Sequence, residues 1–382
     1  MINRRLLLSV PLVVAMKGVA TANARDEYLT VDASPAAGAT EKRFDLPAED
    51  FAFSAIVDDA LTLWVADAMP DEGSAIAAVY HPASRQEFST EIFHYKADSF
   101  VEAKSAGRAF LAMQGYEDVI QNDQASNNGF AILTGFASDG NGQQNIGRVA
   151  AISRGAEFLI VYCRMTPTSH ARYGRTVARL FGTMKFARDA DFAPLLDRRR
   201  YNAPTDYLLP KGWQVTERPT TTVKGVKLDL RRGLEYPNLS ISIREEGFER
   251  TKVLAEQMIG AFRSGVEASA SARLVGEPVG QEILKGDDVT GFLFAQAWDI
   301  VDQGIPMRSQ FVIQKNTGGT LGLIAVNTLD IGRVKARFDA SEHTEAMLAW
   351  ATSMSAFSAA LLSLKEGPDR FLDTLNVRAL GH

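Results

Sequence analysis

Five histidines, one cysteine and a few clustered carboxylates are the side chains of this 382-residue sequence that could most readily do chemistry. Metal sites require His, Cys, Asp or Glu at ligand spacing. His81, His94, His170, His343 and His382 are too widely separated to form such a motif. His94 stands between Phe93 and Tyr95 and reads as a strand residue. His343 lies among Glu342 and Glu345 and reads as part of a solvated helix face. Cys163 closes the apolar run Phe158-Leu159-Ile160-Val161-Tyr162-Cys163, which predicts a buried, inert thiol rather than a nucleophile.

Nucleophilic catalysis leaves no local signature either: there is no Gly-x-Ser-x-Gly turn to present a serine. Gly318-Gly319 and Gly140-Asn141-Gly142 fall between runs of strand length, where glycine serves a turn. A phosphate cradle would sit between a strand and a helix. The pairs Asp58-Asp59 and Asp287-Asp288 read as solvated turns rather than acid and base. No catalytic, cofactor-binding or metal-binding residue is therefore assigned, and no cofactor is expected. A triad gathered from distant residues leaves no trace in sequence, so a periplasmic hydrolase stands as the alternative.

The elements that would position any site begin after an export signal. Arg4 and Arg5, an apolar run over 6–16 and Ala22-Asn23-Ala24 form the three parts of a secretory leader, predicted to be cleaved after Ala24. Its apolar run is too short to span a bilayer. The arginine pair also resembles a twin-arginine signal, but paired basic residues are common in ordinary leaders, so the general secretory route is preferred. With no cysteine nearby, lipid anchoring at the new terminus is excluded. Removing Arg4, Arg5 and Lys17 takes the formal charge from −5 to −8, which argues against a nucleic-acid or anionic-membrane surface. The expected address is periplasmic or secreted, with no stable membrane anchor after cleavage.

Residues 25–42 are polar and small and predict a flexible leader. Strand-length runs follow at 61–65, 74–80 and 87–94. A stripe of Phe100, Ala103, Ala106, Gly107, Phe110 and Leu111 then predicts a helix over 99–113, capped by Asp98 or Ser99. Three further runs at 129–137, 147–153 and 157–163 predict an antiparallel meander, and a second helix is expected over 169–181. Residues 191–203 lack a sustained period and contain Arg198-Arg199-Arg200, which reads as a solvated, protease-sensitive linker.

Beyond it the order repeats: strands at 226–230 and 239–244, a helix over 250–264, strands at 291–298, 307–314 and 321–327, and a long helix over 340–364. The stretch 346–364 is uncharged, but Thr352, Ser353, Ser355, Ser358 and Ser363 dilute its hydrophobicity. That predicts a helix packed on the sheet rather than a membrane span. The two halves can be laid over one another. Gly129-Phe130 to Phe136 answers Gly291-Phe292 to Trp298, and Thr183-Met184-Lys185-Phe186, placed in the following helix, answers Ser353-Met354-Ser355-Ala356-Phe357.

Leu209-Pro210-Lys211-Gly212-Trp213, followed by strands, an amphipathic helix, a meander opening on Gly-Phe and a closing helix, resembles the PsbP-like fold. The resemblance covers nearly all of 203–365 and, more faintly, 44–187, where Leu46-Pro47-Ala48-Glu49-Asp50-Phe51 lacks the Gly-Trp pair. It implies an α+β class: two tandem α/β sandwich domains, each a mainly antiparallel sheet packed with helices. The predicted divisions are signal peptide 1–24, leader 25–42, N-terminal domain 43–190, linker 191–203, C-terminal domain 204–366 and tail 367–382. The resemblance implies no reaction, so the expected role is an exported non-enzymatic binding or assembly accessory protein. Its expected partner is a protein or a small apolar ligand, held by a sheet face, a sheet–helix groove or an interdomain cleft.

Overall fold

The computed structural model describes residues 28, 34, 40–46, 52–67, 73–83, 88–116, 118–122, 129–138, 142–186, 192–200, 206–219, 225–231, 238–244, 248–281, 290–315, 321–334 and 340–375. It forms two compact units, carried mainly by residues 1–194 and 195–372. Each contains mainly antiparallel sheet packed with helices, an α+β sandwich.

In the first unit, β1 (Glu41–Leu46) and β2 (Phe53–Asp58) pair antiparallel, and β10 (Lys185–Phe186) joins the other side of β2. The main sheet has seven strands: β3 (Thr62–Val65), β4 (Ala75–Tyr80), β5 (Ser89–Lys96), β6 (Asp118–Gln121), β7 (Phe130–Ser138), β8 (Gln144–Ser153) and β9 (Glu157–Met165). Their order is β3-β4-β5-β9-β8-β7-β6, with every pair antiparallel. Strands β7, β8 and β9 are apolar on both faces, because both faces are covered.

Helix α1 (Ala103–Met113) lies over β6 to β9 on one face. Gly107 makes this approach possible: a Cβ there would stand 2.5 Å from Leu133 Cδ1. Helix α2 (Pro167–Gly182) and the β1–β2 pair cover the other face. There Phe44, Phe53, Val57, Val177 and Phe181 join Ile92, Ile132 and Val161 in one core. Residue types fix where α2 starts. Thr166 is held extended before Pro167, and its hydroxyl accepts from the Ser169 amide at 3.2 Å.

The second unit opens with a hairpin of β11 (Leu196–Arg200) and β12 (Asp206–Pro210). Its sheet comprises β13 (Gln214–Pro219), β14 (Gly225–Arg231), β15 (Asn238–Arg244), β16 (Ala272–Gln281), β17 (Thr290–Ile300), β18 (Ile305–Lys315) and β19 (Leu321–Leu329). The order β13-β14-β15-β19-β18-β17-β16 is that of the first unit, position for position. Helix α3 (Phe248–Glu267) takes the place of α1 between the third and fourth strands. Short α4 (Ile331–Val334) and long α5 (Ala340–Glu366) follow the last strand, and α6 (Pro368–Leu375) follows α5.

Several expectations need correction. Strand β1 begins at Glu41, inside the proposed leader, and carries Phe44 and Leu46 into the core. The proposed linker contains β11, whose backbone pairs with β12 and whose Leu196 is buried. The proposed tail contains α6, anchored by buried Phe371 and Leu375. Helix α1 begins at Ala103 with Glu102 as its N-cap, so Asp98 and Ser99 precede it. Met184 also lies outside a helix: α2 ends at the Thr183 cap, and Lys185–Phe186 pairs with β2.

The two Gly-Phe strands do occupy the same place in their sheets, but their side chains are out of phase. Phe130 and Ile132, with Phe136 in the same alternation, face the core of α2. Trp298 instead packs on Phe262 of α3. The β17–β18 pairing also shifts register between Thr290 and Leu293.

Candidate functional site

Among the described residues of the first unit, those singled out in the sequence are not gathered at one place. His94 Nε2 lies 3.1 Å from Glu157 Oε2 at the end of β5 and β9, and Lys96 Nζ is 3.3 Å from the other oxygen of that carboxylate. The His170 ring packs edge-on to Tyr28 at 4.7 Å, and that of His81 lies 6.5 Å from Tyr173. His343 is half-buried on α5. Asp58 Oδ1 accepts from the Ala60 amide, and Asp59 Oδ1 is 3.9 Å from Lys42 Nζ, which makes this pair part of a turn. Gly142 adopts φ 77° with open space at its Cβ position, as a turn glycine does. His382, Asp287-Asp288, Gly318-Gly319 and Gly140-Asn141 lie outside the described residues.

Cys163 is fully buried on β9, with Thr90 and Arg148 as its register partners on β5 and β8. Burial pushes its thiol up to about 12, against the opposing pull of the Thr90 hydroxyl and the Arg148 guanidinium. At neutral pH it is a packed thiol, not a thiolate nucleophile. Burial also lowers Arg148 to about 10, and its guanidinium lies 5.9 Å from the Phe181 ring centre. On the opposite face, Tyr116 and Tyr162 share a hydroxyl–hydroxyl bond of 2.9 Å, and burial raises both phenols.

The arginines read as a linker patch are each beside a carboxylate. Arg198 pairs with Asp369, Arg199 lies 3.6 Å from Asp197, and Arg200 lies 3.7 Å from Asp206. The Leu209-Pro210-Lys211-Gly212-Trp213 motif spans the end of β12 and the turn after it. Gly212 has φ 87°, the Lys211 amide donates to Leu195, and the Trp213 side chain is buried. A further cluster went unread in the sequence. Asp299, with a side chain 1% exposed, accepts from Arg273 at 3.0 Å and from Arg333. Arg333 also lies 3.8 Å from Asp330, whose carboxyl is raised by burial. It joins the ends of β16 and β17 to α4, and Arg273 and Asp299 are register partners, invisible before the strand pairing is known.

Both faces of the central strands in the first unit are covered. At the end of the sheet, Trp64 is 44% and Val65 is 37% exposed, two of the four large exposed hydrophobic side chains among the described residues. They are neighbours on β3, which pairs only with β4 among the described strands. The run 61–65 reads correctly as a strand from sequence, but its place at the edge follows from the pairing order, which sequence does not display.

No family model matches the chain, and no curated protein is significantly similar to it. Among solved structures, the cyanobacterial PsbP (CyanoP) from Synechocystis sp. PCC 6803 is similar at 15% identity and a TM-score of 0.25, over 42% of this chain and 90% of that one. A Bacteroides thetaiotaomicron protein matches at 8% identity and 0.26, over 82% and 98%. The immunity protein TplEi of Pseudomonas aeruginosa matches at 9% and 0.19, over 86% and 98%.

Proposed function

We propose that the chain is an exported, non-enzymatic binding or assembly accessory protein that holds a protein partner at strand β3. Export is supported by the charged, apolar and Ala-x-Ala parts of residues 1–24. Binding rests on one observation: adjacent Trp64 and Val65 lie exposed on a sheet-edge strand, while both faces of the sheet's central strands are packed. An aromatic side chain in that position is the kind that anchors interfaces.

The test is a photo-crosslinking residue placed at Trp64 or Val65 of the exported chain, with Arg43, exposed on β1, as the control position. A discrete adduct heavier than the chain is expected from β3 and not from Arg43. Equal yields at all three positions, or none, would sink the reading. The second reading, a hydrolase, is favoured by the His94–Glu157 pair, an acid beside a potential base. It fails if His94→Ala keeps full cellular function.

A further inference from the structure

We infer that β3 accepts an extended, basic segment of a partner polypeptide, which pairs with it as an eighth strand of the sheet. This rests on the binding reading above and specifies the partner's chemistry. The backbone phase of β3 is the starting point. The Ala66 amide donates to the Ile76 carbonyl at 2.9 Å, and that register continues as Trp64 opposite Ala78 and Thr62 opposite Tyr80. In an antiparallel ladder, bonded and non-bonded pairs alternate, so the backbone groups of 62, 64 and 66 turn toward β4. Those of Leu63 and Val65 turn outward. Two outward residues offer two donors and two acceptors, which an extended chain can satisfy and a helix or small apolar molecule cannot.

The other edge strands of the two seven-stranded sheets carry charges, a bulge or prolines, and β3 does not. Strand β16 carries Arg273, a bulge between Val275 and Val279 with Gly276 at φ 64°, and Pro278. Strand β13 carries Glu217, Arg218 and Pro219, and β6 begins with Asp118. Charges, bulges and prolines are the usual obstacles to edge pairing. From Leu61 to Ala66 the chain has none of them.

Charge selects the partner. Asp58 and Asp59 precede the strand, Asp59 with Lys42 Nζ 3.9 Å from one carboxylate oxygen, and exposed Asp67 follows it. A strand flanked by lysine or arginine would meet these acids at both ends, and a basic side chain beside Trp64 could lie on the indole face. The same charges argue against a second copy of this chain. Antiparallel self-pairing of β3 would bring Asp58 and Asp59 of one molecule toward Asp67 of the other.

The probe is a labelled peptide of alternating valine and threonine with two lysines at each end, titrated into the full chain and followed by anisotropy and tryptophan emission. Versions with glutamates for lysines, or with N-methylated central amides, should bind about ten-fold or more weakly, and Val65→Lys should have a similar effect. Trp64→Phe should bind nearly as well as the parent, and thermal unfolding identifies any variant that has failed to fold. Binding of the parent peptide should also weaken with salt. Undiminished binding of the N-methylated peptide, or self-association of the chain that Val65→Lys abolishes, would overturn the inference. If Trp64 crosslinks to a partner while the basic peptide does not bind, the occupant is wrong and the binding reading survives.

Discussion

Gly135 and Gly147 are register partners on β7 and β8, and the ring of Tyr116 fills the space that both leave. A Cβ on Gly147 would stand 2.5 Å from Tyr116 Cζ, and one on Gly135 would stand 2.8 Å from Tyr116 Cβ. These glycines therefore act through close approach rather than turn geometry. Gly147→Ala is expected to destabilise the first unit by about 1–3 kcal/mol, as overpacking does. Urea unfolding of the single variant and of Gly147→Ala with Tyr116→Leu checks this; the second change should restore part of the loss. Additive losses would show that the ring is not the obstacle.

Alkaline conditions should weaken the first unit. Cys163, Tyr116 and Tyr162 are all raised by burial, Cys163 from 9.0 to about 12. Such groups contribute stability that is complete below their unfolded values and is lost as pH rises toward the folded ones. Arg148, lowered to about 10, acts in the opposite direction above that pH and offsets one of the three. A urea midpoint that falls from just above pH 9 is expected, with the first part of the fall missing in Cys163→Ala. A flat profile to pH 11 would contradict the burial argument.

Ser363 ties α5 to β12. The Leu208 amide donates to its hydroxyl at 2.8 Å, and that hydroxyl donates to the Ala359 carbonyl one turn back. Ser363→Ala would leave a buried amide without its acceptor, at a cost of about 1–3 kcal/mol. Ser358→Ala, on a half-buried position of the same helix, should cost much less. Equal effects would mean that helix propensity, not the bond, is being measured.

Trypsin should cut slowly after Arg198 and Arg199 in the folded protein, because both are paired in β11, opposite Leu208 and Tyr207. Rapid cleavage there, read by mass spectrometry of a time course, would place these residues back in an open linker.

The exported protein should begin at Arg25, since Ala22-Asn23-Ala24 is the small-residue pattern a signal peptidase accepts. Recovery of chains that retain Met1 from a membrane fraction would overturn this.

Strands whose two faces are buried were plain in the sequence, because 129–137, 147–153 and 157–163 are mainly apolar, interrupted only by Thr134, Arg148, Ser153 and Glu157. Strands that carry charge were not. In β11, Leu196 alone points to the core while Asp197 and three arginines follow, so alternation is hidden under a charge run. In β16, Gly276 and Pro278 read as breakers but belong to a bulge that keeps the strand going. The long helix was legible, and the reason for its serines was visible only in three dimensions. Thr352, Ser353, Ser355 and Ser363 return their hydroxyls to carbonyls of the preceding turn, and no helix among the described residues is long and apolar enough to cross a membrane. Edge position, which singles out Trp64, is a property of strand order and has no counterpart in local sequence.

The shared strand order also sets a timetable for assembly. The middle of each sheet is made by strands far apart along the chain: Thr90 meets Cys163 and Asn238 meets Asn327, roughly 70 to 90 residues away. Closing so long a loop costs entropy before any contact rewards it, whereas β7, β8 and β9 or β17, β18 and β19 can zip up as local hairpins. The two meanders are thus the natural early structures, and for a time each presents its last strand, β9 or β19, with one side unpaired. In an unfinished molecule these apolar edges, not β3, are the surfaces most exposed to wrong pairing until β5 and β15 arrive.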